Sequence, residues 1–212
     1  MKLMTDLFRD IKINIKHSLN FEIQRVICVA KKAEWYEKMG YRMSLPGGTT
    51  LAEIKNLSPK QTKEIVIKEY EKESYEKIKL SIQKEWGENC IGLKAKIIKN
   101  GLQPQDVYGL FLTKYGVGGS YELPNKIITN FKTQKIADIP RVIIHEIIHL
   151  SIEPIIQKYK TEHWKKERIV DLLFNEVNPH LNRVQNIPIN TQKVDASFSR
   201  FYPDIEKVIQ NS

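Results

Sequence analysis

Residues 142–150 are the stretch that most restricts what this chain can fold into. They read VIIHEIIHL, so two histidines and a glutamate lie inside an otherwise aliphatic run. Aliphatic residues on nearly every side indicate a helix that is buried all round. Burying three polar side chains without partners costs several kcal/mol. The fold must therefore supply partners for His145, Glu146 and His149.

The spacing of the two histidines suits a shared metal ion. Residues four apart lie on the same face of an α-helix, so the imidazoles of His145 and His149 converge on one point. Glu146 projects about 100° round the helix, within reach of a metal-bound water but outside the ligand positions. Because Zn²⁺ lowers the pKa of such a water to about 7, Glu146 is predicted to act as the general base.

A catalytic zinc ion usually has three protein ligands, and the third must come from outside this helix. The metzincin pattern would place glycine at 152 and histidine at 155, but both residues are isoleucine. Glu167, in KKERIVD, is the better candidate, with Asp171 one turn later on the same side of a second predicted helix. Three competing third ligands stay open: Glu162, His163 and Glu176.

Together the two motifs resemble the HExxH…ExxxD arrangement of the gluzincin zinc peptidases, the thermolysin-like clan. HEIIH is followed after seventeen residues by ERIVD. The resemblance implies three Zn²⁺ ligands: His145, His149 and Glu167. It also implies that Glu146 activates a water and that Asp171 hydrogen-bonds a ligand histidine. Such orienting partners are commonly worth 10 to 100-fold in metal affinity or activity.

The resemblance covers roughly residues 105–178 and implies two further features of the site. In gluzincins an edge strand above the active-site helix pairs with the extended substrate, and YELPNKIITNF precedes the helix at a suitable distance. A tyrosine or histidine of the lower lobe often stabilises the oxyanion. The candidates are Tyr202, His180 and Tyr159. Residues 1–100 match no family and form either the rest of the upper lobe or a cap over the cleft.

Periodicity and turn signals predict a zincin-like α+β fold. Residues 21–30 are predicted to form a strand, and 106–116 with 125–131 a β-hairpin. Four helices are predicted. The first spans 58–89 and is capped by Ser58, and the second starts at Asp138 and Pro140 and breaks at Pro154. The third spans 162–178 with Thr161 as its cap, and a short fourth helix starts at about Pro203.

No Gly-, Ser- or Pro-rich linker divides the chain, so we expect one metallopeptidase domain over residues 1–212. Its upper lobe, 1–153, is predicted to hold a small twisted sheet and the HExxH helix. Its lower lobe, 154–212, is predicted to be mainly helical, with the cleft between the two.

The formal net charge of +9 favours acidic partners. The lysines, however, are mixed with glutamates on predicted helices, so a nucleic-acid partner is not expected. Cys28 and Cys90 are too far apart for a CxxC metal pair. Charged residues interrupt the first twenty residues, unlike a signal peptide, and no segment approaches the roughly 20 apolar residues of a spanning helix. A soluble, cytoplasmic protein is predicted.

The predicted function is zinc-dependent hydrolysis of a peptide or protein substrate. The alternative is a zinc-bearing regulatory or toxin–antitoxin-type protein that acts on or binds one partner without general proteolysis. A third hypothesis is a structural metal, or no metal, with the cluster held by internal hydrogen bonds. Peptide specificity and oligomeric state stay open.

Overall fold

The computed structural model describes residues 10–181 and 185–212, which adopt an α+β fold, as predicted. The strands are β1 (Lys12–Lys16), β2 (Val107–Thr113), β3 (Gly119–Glu122) and β4 (Lys126–Asn130). The helices are α1 (Leu19–Lys31), α2 (Ala33–Lys38), α3 (Leu51–Asn56), α4 (Pro59–Glu69), α5 (Lys72–Asn89), α6 (Leu93–Lys99), α7 (Ile139–Tyr159), α8 (His163–Val177), α9 (Gln192–Phe201) and α10 (Ile205–Asn211). Short 3₁₀ turns lie at 46–48, 136–138 and 179–181.

The signal-peptide prediction concerned residues 1–20, of which 1–9 lie outside the described residues. Within the described ranges, no helix combines the length and the apolar character that a membrane span requires.

The described residues form one four-stranded mixed sheet in the order β1-β2-β4-β3. β2 is parallel to both β1 and β4, whereas β3 is antiparallel to β4. The predicted hairpin of 106–116 with 125–131 is therefore wrong, because these strands are parallel neighbours. Alternating hydrophobicity does not encode strand direction, and the short strand β3 was not recognised between them. β3 lies at the edge of the sheet, and β4, which follows it in the chain, lies between β3 and β2.

Helix α7 packs against β3 and β4 and carries much of the core. Ile143, Ile144, Ile147 and Ile148 are fully buried, which confirms the burial predicted from their spacing. The predicted break at Pro154 is wrong, because α7 continues to Tyr159 and so runs through the boundary predicted between the two lobes. Pro154 lies on the exposed side of the helix. The buried residues on either side of it hold the helix together despite the missing N–H group.

Two other predicted elements differ from the structure. Residues 21–30 belong to helix α1, not to a strand. Ser18 caps this helix, and its Oγ accepts from the main-chain N–H of Phe21 at 3.1 Å. The predicted helix 58–89 is divided at Tyr70 into α4 and α5. Tyr70 has an extended backbone, and its hydroxyl lies 2.9 Å from Nδ1 of His17.

The C-terminal predictions were partly wrong as well. Glu162, not Thr161, caps α8, and its carboxylate accepts from the first N–H groups of the helix. Helix α9 was missed inside a segment read as loop, whereas α10 starts close to the predicted position, with Asp204 as its cap. Residues 182–184 of that segment lie outside the described residues.

Glu22 joins helix α1 to the end of β2. Its carboxylate is fully buried and accepts hydrogen bonds from the hydroxyls of Thr113 (2.6 Å) and Tyr75 and from the main-chain N–H of Lys114 (2.9 Å). Burial raises the pKa of Glu22, although these hydrogen bonds oppose the effect. One turn later, Arg25 donates to Ser120 of β3 at 3.2 Å. Helix α1 thus fixes the strands that border the cleft.

Glu22→Ala is expected to lower the free energy of unfolding by about 3 kcal/mol, because it leaves two buried hydroxyls and a part-buried main-chain N–H without their acceptor. Glu64→Ala, on the exposed face of α4, should change it by less than about 0.5 kcal/mol. Urea unfolding followed by circular dichroism measures both. Equal effects would show that Glu22 does not hold α1 to the sheet.

Candidate metal centre

Helices α7 and α8 bring three ligand atoms to one point. His145 and His149 project from the same face of α7, and their Nε2 atoms lie 3.1 Å apart. Glu167 reaches across from α8, with its Oε2 3.5 Å from Nε2 of His145 and 3.3 Å from Nε2 of His149. The grouping of the two histidines with Glu167 is thus found in the structure.

The separations of these three atoms fit a tetrahedral zinc site. With Zn–N and Zn–O bonds of about 2.0–2.2 Å, neighbouring ligand atoms of a tetrahedron lie about 3.3–3.6 Å apart. The observed separations of 3.3 and 3.5 Å fall in that range, and the separation of 3.1 Å between the two histidine nitrogens is slightly shorter. The same oxygen of Glu167 faces both imidazoles. Two histidine nitrogens and one carboxylate oxygen are also a donor set that zinc prefers.

The ionisation states of two of the ligands suit metal binding. Burial lowers the pKa of His149 to about 4, so its imidazole is neutral at pH 7. Burial also opposes ionisation of Glu167, but the charges and hydrogen bonds of the two histidines outweigh it and hold the pKa of Glu167 well below its ordinary value. A neutral imidazole and an ionised carboxylate are the forms that bind metal.

His149 is held by stacking on its buried side. The ring of Tyr121 on β3 lies 4.9 Å from the His149 ring, at an interplanar angle of 19°. The Tyr121 hydroxyl donates to Glu153 and accepts from Nζ of Lys166 at 2.9 Å. Nδ1 of His149 is buried and has no hydrogen-bond partner among the described residues. Ring stacking therefore replaces the hydrogen bond that usually orients a ligand histidine.

Glu146 lies against the edge strand. Its side chain is buried on the face of α7 that meets β3. A Cβ atom at Gly119 would lie 2.4 Å from Oε1 of Glu146 and 2.6 Å from Cγ1 of Val142, so only glycine leaves room for this carboxylate. Burial, followed by the negative charge of Glu167, raises the pKa of Glu146 to about 7, while the charge of His145 opposes the shift.

Asp171 occupies a different role from the one predicted. No hydrogen bond joins it to His145 or His149 in the described part of the chain, because both of its oxygens face Gln185. The main-chain N–H of Gln185 donates to Oδ2 at 3.1 Å, and its Nε2 lies 3.3 Å from Oδ1. That same amide is 3.2 Å from Nε2 of His145 and 3.4 Å from Oε2 of Glu167. Asp171 therefore orients Gln185 beside the three ligands.

The three competing ligands point elsewhere. Nε2 of His163 lies 2.8 Å from the hydroxyl of Tyr41, and its Nδ1 is 3.8 Å from Oε1 of Glu167, the oxygen that faces away from the cluster. Glu162 caps α8. Glu176 is exposed, nine residues after Glu167 and so on the opposite face of the helix.

The three predicted oxyanion groups lie away from the cleft. The Tyr202 hydroxyl donates to Asn100, and the Tyr159 hydroxyl donates to Glu206 at 2.9 Å. His180 is exposed in the turn after α8. Tyr159, a candidate named beside the other two, lies ten residues after His149 on the same helix, about 15 Å along the axis from it.

Tyr41 lines the cleft and was not among the candidates for this role. Burial raises the pKa of its hydroxyl, and the negative charges of Glu167 and Glu146 add to the effect, so the phenol stays protonated. Trp35 and Trp164 both stack on its ring. The aromatic residues of this N-terminal segment gave no motif signal, and their approach to the cleft depends on contacts far apart in sequence.

These elements enclose a cleft of about 460 Å³. Residues 117–121 form one wall and residues 32–42 form another, while α7, α8 and Gln185 form the floor. The N-terminal region, for which the sequence left two roles open, thus contributes a wall of the cleft.

No protein-family model, curated protein or solved structure matches the chain. The resemblance to the gluzincins therefore rests on the residues of the site.

Glu146→Gln is expected to stabilise the metal-free protein at pH 8. The pKa of Glu146 is about 7 in the folded state and near 4.5 in the unfolded chain. The folded state therefore binds the proton more tightly, and this group lowers stability as pH rises from 4.5 to 7, by about 2–4 kcal/mol in total. The variant should be more stable than wild type above pH 7, with the difference shrinking towards pH 4.5.

Chemical unfolding in EDTA across that pH range measures the difference. Glu176→Gln removes an equal charge from an exposed position and is the matched control. A difference that does not vary with pH would contradict the raised pKa of Glu146.

Proposed function

We propose that the protein is a zinc-dependent peptidase of the gluzincin type. One observation carries the proposal: His145, His149 and Glu167 converge at tetrahedral separations beside a buried glutamate, under the edge strand of a sheet. A structural metal site is usually closed by four protein ligands, whereas a catalytic site keeps a position open. The described residues supply three.

When bound, zinc would supply a Lewis acid and a water of lowered pKa at these three side chains. Glu146 would hold and move the proton in this reaction, accepting one from the attacking water and returning it to the leaving amine. In the metal-free protein burial raises the pKa of Glu146 to about 7, and the charge of a bound metal ion would favour its carboxylate, the form that accepts a proton. The absence of a side chain at Gly119 leaves room for this carboxylate, which is buried against β3.

The edge strand supports a peptide as the substrate. One side of β3 pairs with β4 through Gly119, Ser120, Tyr121 and Glu122, and the other side borders the cleft. An extended peptide adds to such an edge through main-chain hydrogen bonds, independent of its sequence. The active-site helix lies below the same strand, which agrees with the zincin-like arrangement expected from the motifs.

Tyr41 is positioned to donate to the developing oxyanion. Its hydroxyl is protonated and lies in the cleft close to Glu146 and Glu167. A preorganised donor of this kind in a dry site stabilises charge that forms in the transition state. His163, at 2.8 Å, holds the phenol in place.

Zinc content tests the ligand set. After reconstitution and removal of free metal, wild-type protein should contain about one zinc per chain. His149→Ala and Glu167→Ala should lose it, because each leaves only two ligands. His163→Ala and Glu176→Ala are the controls, and both should keep it. Elemental analysis measures all five proteins, and zinc retained by Glu167→Ala would overturn the site.

Hydrolysis tests the role of Glu146. Zinc-loaded wild type should cleave unfolded peptides in a mixed library, and Glu146→Gln should keep zinc while losing about 10²–10⁴-fold in rate. Glu176→Gln should behave as wild type. Mass spectrometry of the products reads out all three. Zinc-loaded wild type that cleaves no peptide would overturn the peptidase and favour a zinc-bearing protein that acts on one partner.

A further inference from the structure

We propose that the cleft selects substrates with a carboxylate on the C-terminal side of the scissile bond, and that Arg141 binds it. The inference rests on the proposed function, since it names the substrate class of the same site. The carboxylate belongs either to an Asp or Glu side chain or to the C-terminus of a short peptide.

Arg141 has hydrogen-bonding capacity that the protein does not use. It lies on α7 one turn before His145 and lines the cleft. Its Nε is buried and has no partner among the described residues. Its nearest acidic neighbour is Asp138, whose Oδ1 is 3.6 Å from a terminal nitrogen, beyond hydrogen-bond distance. A carboxylate in the cleft would meet the terminal N–H groups of the guanidinium, which form no hydrogen bond with the described residues, and such charge-assisted hydrogen bonds are strong.

The position of Arg141 in its helix adds to this cost. Ile139 starts α7, so Arg141 lies in the first turn, where the macrodipole disfavours cations by about 0.3–1 kcal/mol. The first turn of this helix contains no acidic residue. An arginine placed unfavourably at a cleft, whose ion-pair partner Asp138 is half-exposed and beyond hydrogen-bond distance, indicates a binding role.

The remaining charges of the cleft point the same way. The acidic residues that line it are Glu146, Glu167 and Asp171, all within the metal centre. Apart from the histidines, the other charged side chains among the described residues that line the cleft are all positively charged. They are Lys32, Arg42, Arg141 and Lys166. Lys166 is engaged by Tyr121, and Lys32 and Arg42 are exposed. Arg141 is thus the partly buried cation whose guanidinium is left to bind a substrate.

The direction of β3 fixes which part of the substrate reaches Arg141. Gly119 lies against Val142 and Glu146, and Tyr121 stacks on His149, so β3 and α7 run in the same direction along the cleft. A peptide that pairs antiparallel to β3 has its N-terminal part beside Tyr121. Its C-terminal part, beyond the bond at the metal centre, lies beside Arg141.

The test measures peptide binding to the full chain, loaded with zinc and carrying Glu146→Gln so that nothing is cleaved. Fluorescence anisotropy at 0.15 M salt, which limits long-range attraction, compares a peptide with Glu after the scissile bond with its Gln counterpart, each with a free or an amidated C-terminus. The peptide whose carboxylate Arg141 binds should bind about 10-fold more tightly than its neutral counterpart. A preference for Glu over Gln assigns the carboxylate to the side chain, and a preference for the free over the amidated C-terminus assigns it to the chain end.

Arg141→Gln should reduce this ratio to about 1, whereas Arg141→Lys, which keeps the charge, should retain part of it. Arg200→Gln, exposed at the end of α9, should leave the ratio unchanged. Zinc content and thermal melting verify that each variant is folded. Ratios near 1 for both comparisons in the protein that keeps Arg141, or a ratio that Arg141→Gln does not alter, would overturn the inference. If Arg141 confers the preference for a carboxylate but the wild-type protein cleaves no peptide, the proposed peptidase activity is overturned and the binding role of Arg141 stands.

Discussion

The burial of α7 is the constraint on which the rest of the structure depends. Its isoleucines are excluded from water on nearly every side, so His145, Glu146 and His149 are carried into the interior with them. Ionisable groups in such a place need compensation. Helix α8 provides it with Glu167, whose carboxylate stays ionised between the two imidazoles. Gly119, which has no side chain, leaves space for the carboxylate of Glu146 beside the edge strand.

Sequence reasoning reached the parts of the site that a single helix determines. His145, Glu146 and His149 have fixed relative positions because helix geometry sets them, and Glu167 was found because its motif follows on the next helix. Tyr41 and Gln185 were missed. Tyr41 meets His163 across 122 positions and Gln185 meets His145 across 40, and no local pattern encodes such contacts. The actual partner of Asp171 was missed for the same reason.

The errors in the predicted secondary structure have a common cause, because tertiary packing and capping outweighed the local sequence preferences on which the predictions rested. Residues 21–30 contain β-branched residues, yet Ser18 offers a helix cap and every third residue from Ile23 to Val29 faces the core. Capping and burial outweighed β-propensity there. Pro154 would end an isolated helix, but Ile152 and Ile156 are buried on either side of it. The strand direction of β2 and β4 depends on the short strand β3, which carries a weak pattern.

The isolated bridge between Ser44 and Gly116 has a mechanical consequence for the cleft. The two residues exchange main-chain hydrogen bonds of 3.0 and 2.8 Å, so the segment that carries Tyr41 is fastened to the chain just before β3. Gly116 has a φ of +85° and lies directly against Arg25 and Val29 of α1, which anchors the joint. The two walls are thus coupled at this end. Separating the two walls at this end to admit a bulky chain would require these two main-chain hydrogen bonds to break.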